Sequence, residues 1–320
     1  MKLRVISYLA ALPRSKTPES IAKNADKTNT LRFFIEGVNQ AGDQGEVCDD
    51  SRWQPADVAV ILGWVHEHSK DSAHLRLRRE IVENQKRNGG RTVVADSNLF
   101  LYKNTNNPGY WLRYSYDHVF PGLGEYCDQK PDPERWAAVQ QTGVQLRPWR
   151  TDGNHILLCL QRDGGWSMGG FDVLDWAMNT ITEIRRYSGR PIVIRSHPGD
   201  KRAPKYCHRL EKLLTGRRIP AVTFTDSSRS LMQDFKHCWA VVNHNSSPGV
   251  AAAIEGIPVF VTDPQRSQAR DVANHDLNII EHPGTFDRLA WAQRLSQFHW
   301  SHADLRSGRC WQHMRQWARP

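Results

Sequence analysis

Short apolar runs, each followed by a helix-like segment, alternate along this chain, stop near residue 97, and start again near residue 154. DVAVILGW (57–64) shows the nature of the runs. It has no polar alternation, so both of its faces need cover, as in a strand of a parallel sheet flanked by helices. LRVISYLAA (3–11) and RTVVAD (91–96) read as further strands of the same series. TNTLRFFIEGVNQAG (28–42) and SAHLRLRREIVENQKRNGG (72–90) read as its helices, each stopped by glycine. Residues 97–130 read as a long irregular stretch rich in Asn, Gly, Pro, Tyr and Trp, before a short helix in PDPERWAAVQQTG.

The second series opens with HILLCLQ (155–161). In FDVLDWAMNTITEIRRYS (171–188) the spacing places Phe171, Leu174, Met178, Ile181 and Ile184 on one helical face. The strands PIVIR, AVTF, WAVVN and IPVFV follow, separated by helical segments. Two consecutive βαβ series predict an α/β protein of two facing Rossmann-like domains with a cleft between them. A single large doubly wound sheet is the alternative. The Pro- and Gly-containing stretch QLRPWRTDGN (145–154) suits a hinge. The expected division is 1–150, 151–290, and a C-terminal tail 291–320 whose helices pack back toward the first domain.

At 320 residues with 39% hydrophobic content the chain has enough material for two cores. The apolar part of MKLRVISYLAALPRSK is too short to span a membrane and reads as a first strand. Six dispersed cysteines without a CxxC pair argue against a disulfide scaffold or zinc ribbon and for a reducing cytoplasm. The net charge of +9 favours a polyanionic partner.

In doubly wound sheets ligands bind beyond the carboxyl ends of the strands. Four such ends in the second half are polar: Arg162-Asp163-Gly164-Gly165, Arg195-Ser196-His197-Pro198, Thr225-Asp226-Ser227-Ser228 and Asn243-His244-Asn245-Ser246-Ser247. Ser246 and Ser247 precede the small-residue segment PGVAAAIEG, in which Pro248 suits a first helical position and Gly249 permits close approach. A helix start there offers donors and partial positive charge to a phosphate, and Arg162 and Arg195 add cations. Either serine could equally be a plain N-cap.

A strand ending in His197-Pro198, then some fifty residues later Ser246-Ser247 before a small-residue helix and the strand Gly256-Ile257-Pro258-Val259, resembles GT-B glycosyltransferases. The pattern is closest to bacterial sialyltransferases and capsule-type Kdo transferases. The resemblance implies that His197 contacts the donor nucleotide and that Ser246 and Ser247 hold its phosphate. Gly164, Gly249 and Glu255, the last at the helix-to-strand join common in such folds, belong to the same donor side. It implies a sugar nucleotide, UDP- or CMP-linked, as substrate, with no cofactor. With no DxD-type motif at a strand end, metal independence is expected; His66-x-His68 reads as surface or core.

The first half lacks the paired-acid-glycine stretch of the sialyltransferases. Its VVADSNLFLYKNTNNPGYW is similar to phage DNA β-glucosyltransferases, which implies Asp96 as the base that deprotonates an acceptor hydroxyl. Asp117 and Glu36 are rivals. Lys103, Tyr110, Trp111 and Arg113 follow as acceptor-side residues. Segment 185–218 carries eleven Lys or Arg against two acids. Basic charge tracks a phosphate backbone and aromatics stack on bases, so double-stranded hydroxymethylated DNA is the expected acceptor. A solvated basic face and a small aromatic core explain the same residues. A cell-surface polysaccharide or lipopolysaccharide transferase and a non-catalytic nucleic-acid-binding protein are the other readings. The expected state is a monomer without stable membrane insertion, in the cytoplasm.

Overall fold

A computed structural model of the chain describes residues 1–13, 17–65, 72–100, 107–163, 166–226 and 228–319. The chain divides into two compact units: Met1–Ala137 with Gln293–Pro320, and Ala138–Ala292.

The first unit contains β1 (Arg4–Tyr8), α1 (Pro18–Gln40), β2 (Gln44–Cys48), β3 (Val58–Leu62), α2 (Ala73–Arg87), β4 (Arg91–Asp96) and β5 (Leu112–Tyr116). Helix α3 (Pro133–Gln141) leads into the second unit. There the order is β6 (His155–Cys159), α4 (Val173–Tyr187), β7 (Ile192–Arg195), α5 (Ala203–Gly216), β8 (Val222–Phe224), α6 (Leu231–Asp234), β9 (Cys238–Asn243), α7 (Ser247–Ile254) and β10 (Val259–Val261). Helix α8 (Leu289–Gln297) leads back to the first unit, which closes with β11 (His299–Trp300), α9 (His302–Arg306) and α10 (Arg309–Met314).

The second unit's sheet is parallel throughout, in the order β8-β7-β6-β9-β10. Its strands β6 and β9 are buried apolar runs, and helix α4 covers them with Val173, Leu174, Ala177, Met178, Ile181 and Ile184. Phe171 does not join that face. Asp172 Oδ1 accepts from the backbone N–H of Leu174 at 2.7 Å, which starts the helix at Val173 and leaves Phe171 63% exposed.

The first unit's sheet runs β2-β1-β3-β4-β5-β11, with β5 antiparallel to both of its neighbours, β4 and β11. Helix α1 lays Leu31, Phe34, Ile35 and Val38 on it at helical spacing. The helix begins ten residues before the expected start at residue 28, because its first turns are polar and show no apolar stripe; Ile21 there is exposed. Strand β5 lies inside the stretch expected to be irregular. Among the described residues no helix is long and apolar enough to cross a membrane.

Candidate functional site

In the second unit the chain goes from β6 outward to β7 and β8, then returns to β9 on the other side of β6. The strand order reverses between β6 and β9, and a crevice opens beyond their carboxyl ends at such a point. Buried amides bind the surrounding turns together. Gln161, after β6, donates from Nε2 to Ser167 Oγ at 2.7 Å and accepts the Asn245 N–H at 3.1 Å. Asn245, after β9, donates from Nδ2 to the Ser167 carbonyl at 2.9 Å and to Asp263 Oδ2, after β10, at 3.0 Å. Arg266 Nη1 completes Asp263 at 3.0 Å.

The turn after β9 carries buried polar atoms that have no hydrogen-bond partner among the described residues. Asn243 Oδ1 accepts the Ser246 N–H at 3.0 Å and fixes the turn. Ser246 is the N-cap of α7, yet its hydroxyl makes no capping bond, and its buried Oγ has no hydrogen-bond partner among the described residues. Ser247, the first helical residue, is exposed. His244 is 4% exposed; its Nδ1 lies 2.8 Å from Thr262 Oγ1, which also accepts from Trp176 Nε1 at 2.9 Å. His244 Nε2 lies 3.6 Å from Asp263 Oδ2, and the Met168 backbone also bears on the ring. Burial holds this imidazole below its usual range; Asp263 opposes the shift and Arg266 adds to it.

Arg162 and His197 join this edge. Arg162 Nη2 donates to the Gly199 carbonyl at 3.1 Å, and Asp163 N–H donates to Asp200 Oδ2 at 2.7 Å. A Cβ on Gly199 would lie 2.8 Å from Arg162 Nη2 and 3.3 Å from His197 Cε1, so cation and ring flank one backbone position. His197 Nδ1 accepts the Gly199 N–H at 3.0 Å. Burial first and Arg162 second depress its pKa. A neutral ring in that arrangement presents Nε2 as an N–H donor.

Other residues of the expected donor set are engaged within the fold or lie away from the turn. The Arg195 guanidinium pairs with Asp234 Oδ2, which is buried and also engages Arg229 Nε through its second oxygen at 2.8 Å. Gly249 is a packing position: a Cβ there would meet Asn243 Nδ2 at 2.7 Å and Val259 Cγ1 at 3.3 Å. Glu255 caps the opposite end of α7, eight helical residues and about 12 Å from the serines. Gly164 lies outside the described residues. Asn243, His244 and Asn245 were read only as part of a polar strand end, and Gln161 and Asp263 were given no role, because their side chains meet only through folding.

In the first unit Asp96 ends β4, and its Oδ2 accepts from Arg113 Nη2 on the facing residue of β5. Asp117 is occupied by Arg91 Nε at 2.7 Å and the Thr92 N–H at 2.8 Å, and Glu36 is paired with Arg306 at 3.1 Å. Tyr114 and Tyr116 are core residues. Tyr110 packs its ring on His302 at 4.6 Å, and Trp111 has Arg135 at 5.5 Å from its ring. The aromatic segment is thus mainly a small core, with Lys103, His66 and His68 outside the described residues. A cavity of about 410 Å³ beside the end of β1 is lined by Leu9, Leu12, Pro13, Asn24, Thr28 and Asp49, among others. Among the described residues no three His, Cys, Asp or Glu side chains gather as a metal site.

No protein-family model matches the chain, and no curated protein matches it. Solved structures do. KpsC of Thermosulfurimonas dismutans, a beta Kdo 2,7 transferase, superposes with a TM-score of 0.51 at 12% identity, over 93% of this chain and 92% of that one. The beta Kdo 2,4 transferase of the same organism's KpsC gives 0.47 at 10% identity, over 88% and 90%. Anabaena Alr3699/HepE in complex with UDP-glucose gives 0.38 at 11% identity, over 99% of both chains. Of these three, the first alone is near enough to show a common fold. The chain has the GT-B type of architecture, two Rossmann-like units each built on a largely parallel sheet.

Proposed function

We propose that this protein is a glycosyltransferase that moves a sugar from a nucleotide donor to a hydroxyl of a glycan acceptor. The observation that carries the reading is Ser246: a serine at a helix start whose buried hydroxyl caps nothing, beside a β6/β9 switch point flanked by Arg162 and His197. A phosphate supplies the acceptor oxygens that Ser246, Ser247 and the α7 N-terminus lack. Arg162 balances the charge that gathers on the leaving phosphate, so the step needs no metal on this reading. His197 holds the nucleotide.

Asp96 is the base. Its Oδ2 is held by Arg113, which leaves Oδ1 to take the proton of the acceptor hydroxyl. The hydroxyl oxygen bonds to the anomeric carbon, the bond from that carbon to the donor phosphate breaks, and the nucleotide leaves with the electron pair. Arg113 is then a positioning residue rather than an acceptor contact.

A glycan is favoured over DNA because Tyr114 and Tyr116 are buried in the core and offer no stacking surface, and because Arg185, Arg190, Arg195 and Arg202 of the basic segment all have partners within the protein. The test is a thermal-shift screen with CMP- and UDP-sugars, read beside salt-dependent binding to duplex DNA. A bound nucleotide at a hundred times its dissociation constant adds about 2.7 kcal/mol. If every sugar nucleotide leaves the melting temperature unchanged, the reading is wrong. Tight, salt-sensitive DNA binding without nucleotide binding would favour a nucleic-acid-binding protein instead.

A further inference from the structure

Helix α2 turns Leu77 and Ile81 into the core, and Arg78 goes with them, only 7% exposed. Its Nε donates to the carbonyl of Ala11 at 2.9 Å, just beyond the end of β1. Its Nη1 lies 2.9 Å from the place where a Cβ on Gly63 would stand, just beyond the end of β3. Gly63 has φ +81°, and with no side chain it leaves the guanidinium its space. The cation therefore sits at the carboxyl edge of the sheet between β1 and β3. That is the first unit's own switch point, with β2 on one side of β1 and β3 on the other.

A buried guanidinium needs a counter-charge or a full set of acceptors. Among the described residues Arg78 has the Ala11 carbonyl as its hydrogen-bond acceptor and forms no ion pair. Burial draws it down to about 10, with Asp96 opposing, so it keeps its charge at neutral pH. Asp96 itself is engaged by Arg113. The Gly63 N–H donates to the Ala95 carbonyl at 2.7 Å, which sets Gly63 and Asp96 on neighbouring strand ends about 5 Å apart.

We propose that Arg78 is the receptor for an anionic group, a carboxylate or a phosphate, that the acceptor glycan carries beside its reacting hydroxyl. This rests on the glycosyltransferase reading. The acceptor's acid would meet the Nη fork beside Gly63 while its hydroxyl meets Asp96 on the neighbouring strand end. The planar fork binds either oxyanion through two parallel hydrogen bonds. A neutral acceptor leaves a desolvated cation without a partner, so the site discriminates against it.

The test measures binding to the full-length chain of four probes: a glucuronate-terminated disaccharide, its glucose-terminated counterpart, a glucose 6-phosphate-terminated disaccharide and a short DNA duplex. Each is titrated with and without the stabilising nucleotide. The wild-type chain is expected to bind at least one acidic sugar tenfold or more tighter than the neutral one, about 1.4 kcal/mol. Arg78→Gln removes that preference, and Arg78→Lys keeps part of it. Carboxylate against phosphate identifies the group. Equal binding of acidic and neutral sugars by the wild-type chain, or no binding of either acidic sugar, overturns the proposal even if Arg78→Gln does not fold. A preference that survives in a folded Arg78→Gln chain overturns it too, as does duplex DNA binding that depends on Arg78 and exceeds both acidic sugars. Because the sugars are also measured without nucleotide, a failure of the donor reading shows in the nucleotide titration and not here.

Discussion

Ser246 and Asp96 differ from their neighbours in what they leave undone. Among the described residues Ser246 Oγ is buried without a partner, and Asp96 is held by Arg113 through one oxygen only. Removing a hydroxyl that makes no bond costs little, since no pairing is lost. Ser246→Ala is therefore expected to leave the ligand-free melting temperature within about 0.5 kcal/mol of wild type while weakening nucleotide-induced stabilisation. A large loss of stability without ligand would show that the serine is structural. Asp96→Asn is expected to retain nucleotide binding and to lower turnover by about two orders of magnitude or more. Wild-type turnover in that variant would exclude Asp96 as the base. The SHP and NSS stretches mark this edge in one dimension, because polar residues that end apolar strands are visible in a string of letters. The partner of Arg195 was not visible there: a cation at a strand end looks the same with or without the carboxylate of Asp234, on a helix thirty-nine positions later.

At the scale of the element, α7 is held at both ends by glycines with different tasks. Gly249 lets Asn243 and Val259 close on the helix. Gly256, just beyond it, has φ +74°, and a Cβ there would fall 1.9 Å from the Pro148 carbonyl oxygen. Gly143 has a similar φ of +94° with nothing within 4 Å. Gly143→Ala is expected to cost only the left-handed backbone penalty, about 1–2 kcal/mol. Gly256→Ala adds a backbone clash and is expected to cost several times more, as chemical denaturation would show. Equal losses would mean that the segment around Pro148 moves aside freely. Most parallel strands were legible because a strand covered on two faces must be apolar throughout; β2, parallel to β1 but polar and largely exposed at the sheet edge, was not. Strand β5 was not: Leu112, Tyr114 and Tyr116 alternate with Arg113 and Ser115, and the surrounding Asn, Gly and Pro mask five residues of strand.

At the scale of the molecule, the chain returns from its second unit to finish its first. Trp300, Leu305, Trp311 and Met314 share a core cluster with Val5, Phe34 and Val60. Asp43 fastens the return, accepting from Leu3 N–H at 2.9 Å, Trp311 Nε1 at 2.8 Å and Arg315. Burial alone would raise this carboxyl, but Arg315 and the two N–H donors outweigh it and hold it at about 2. His299 on β11 is fully buried and held at about 3, by burial first and by the charges of Arg113 and Arg135. Both shifts act in the same direction. As pH falls below 6.5 the unfolded chain protonates its histidine before the folded one does, and stability drops down to about pH 3. Asp43 adds a loss on the order of 2 kcal/mol between about pH 4 and pH 2. The denaturation midpoint is expected to fall across this window, and Asp43→Asn to flatten its lower part. A midpoint independent of pH below 6 would contradict this account. The two βαβ series and the polar strand ends were determined by the sequence itself, because periodicity and strand termination are local properties. Which strand lies beside which, whether Arg195 or Arg162 keeps its charge available, and where Arg78 comes to rest were decided only by the tertiary structure. Each depends on which distant residue arrives as a partner, and a linear pattern carries no record of that meeting.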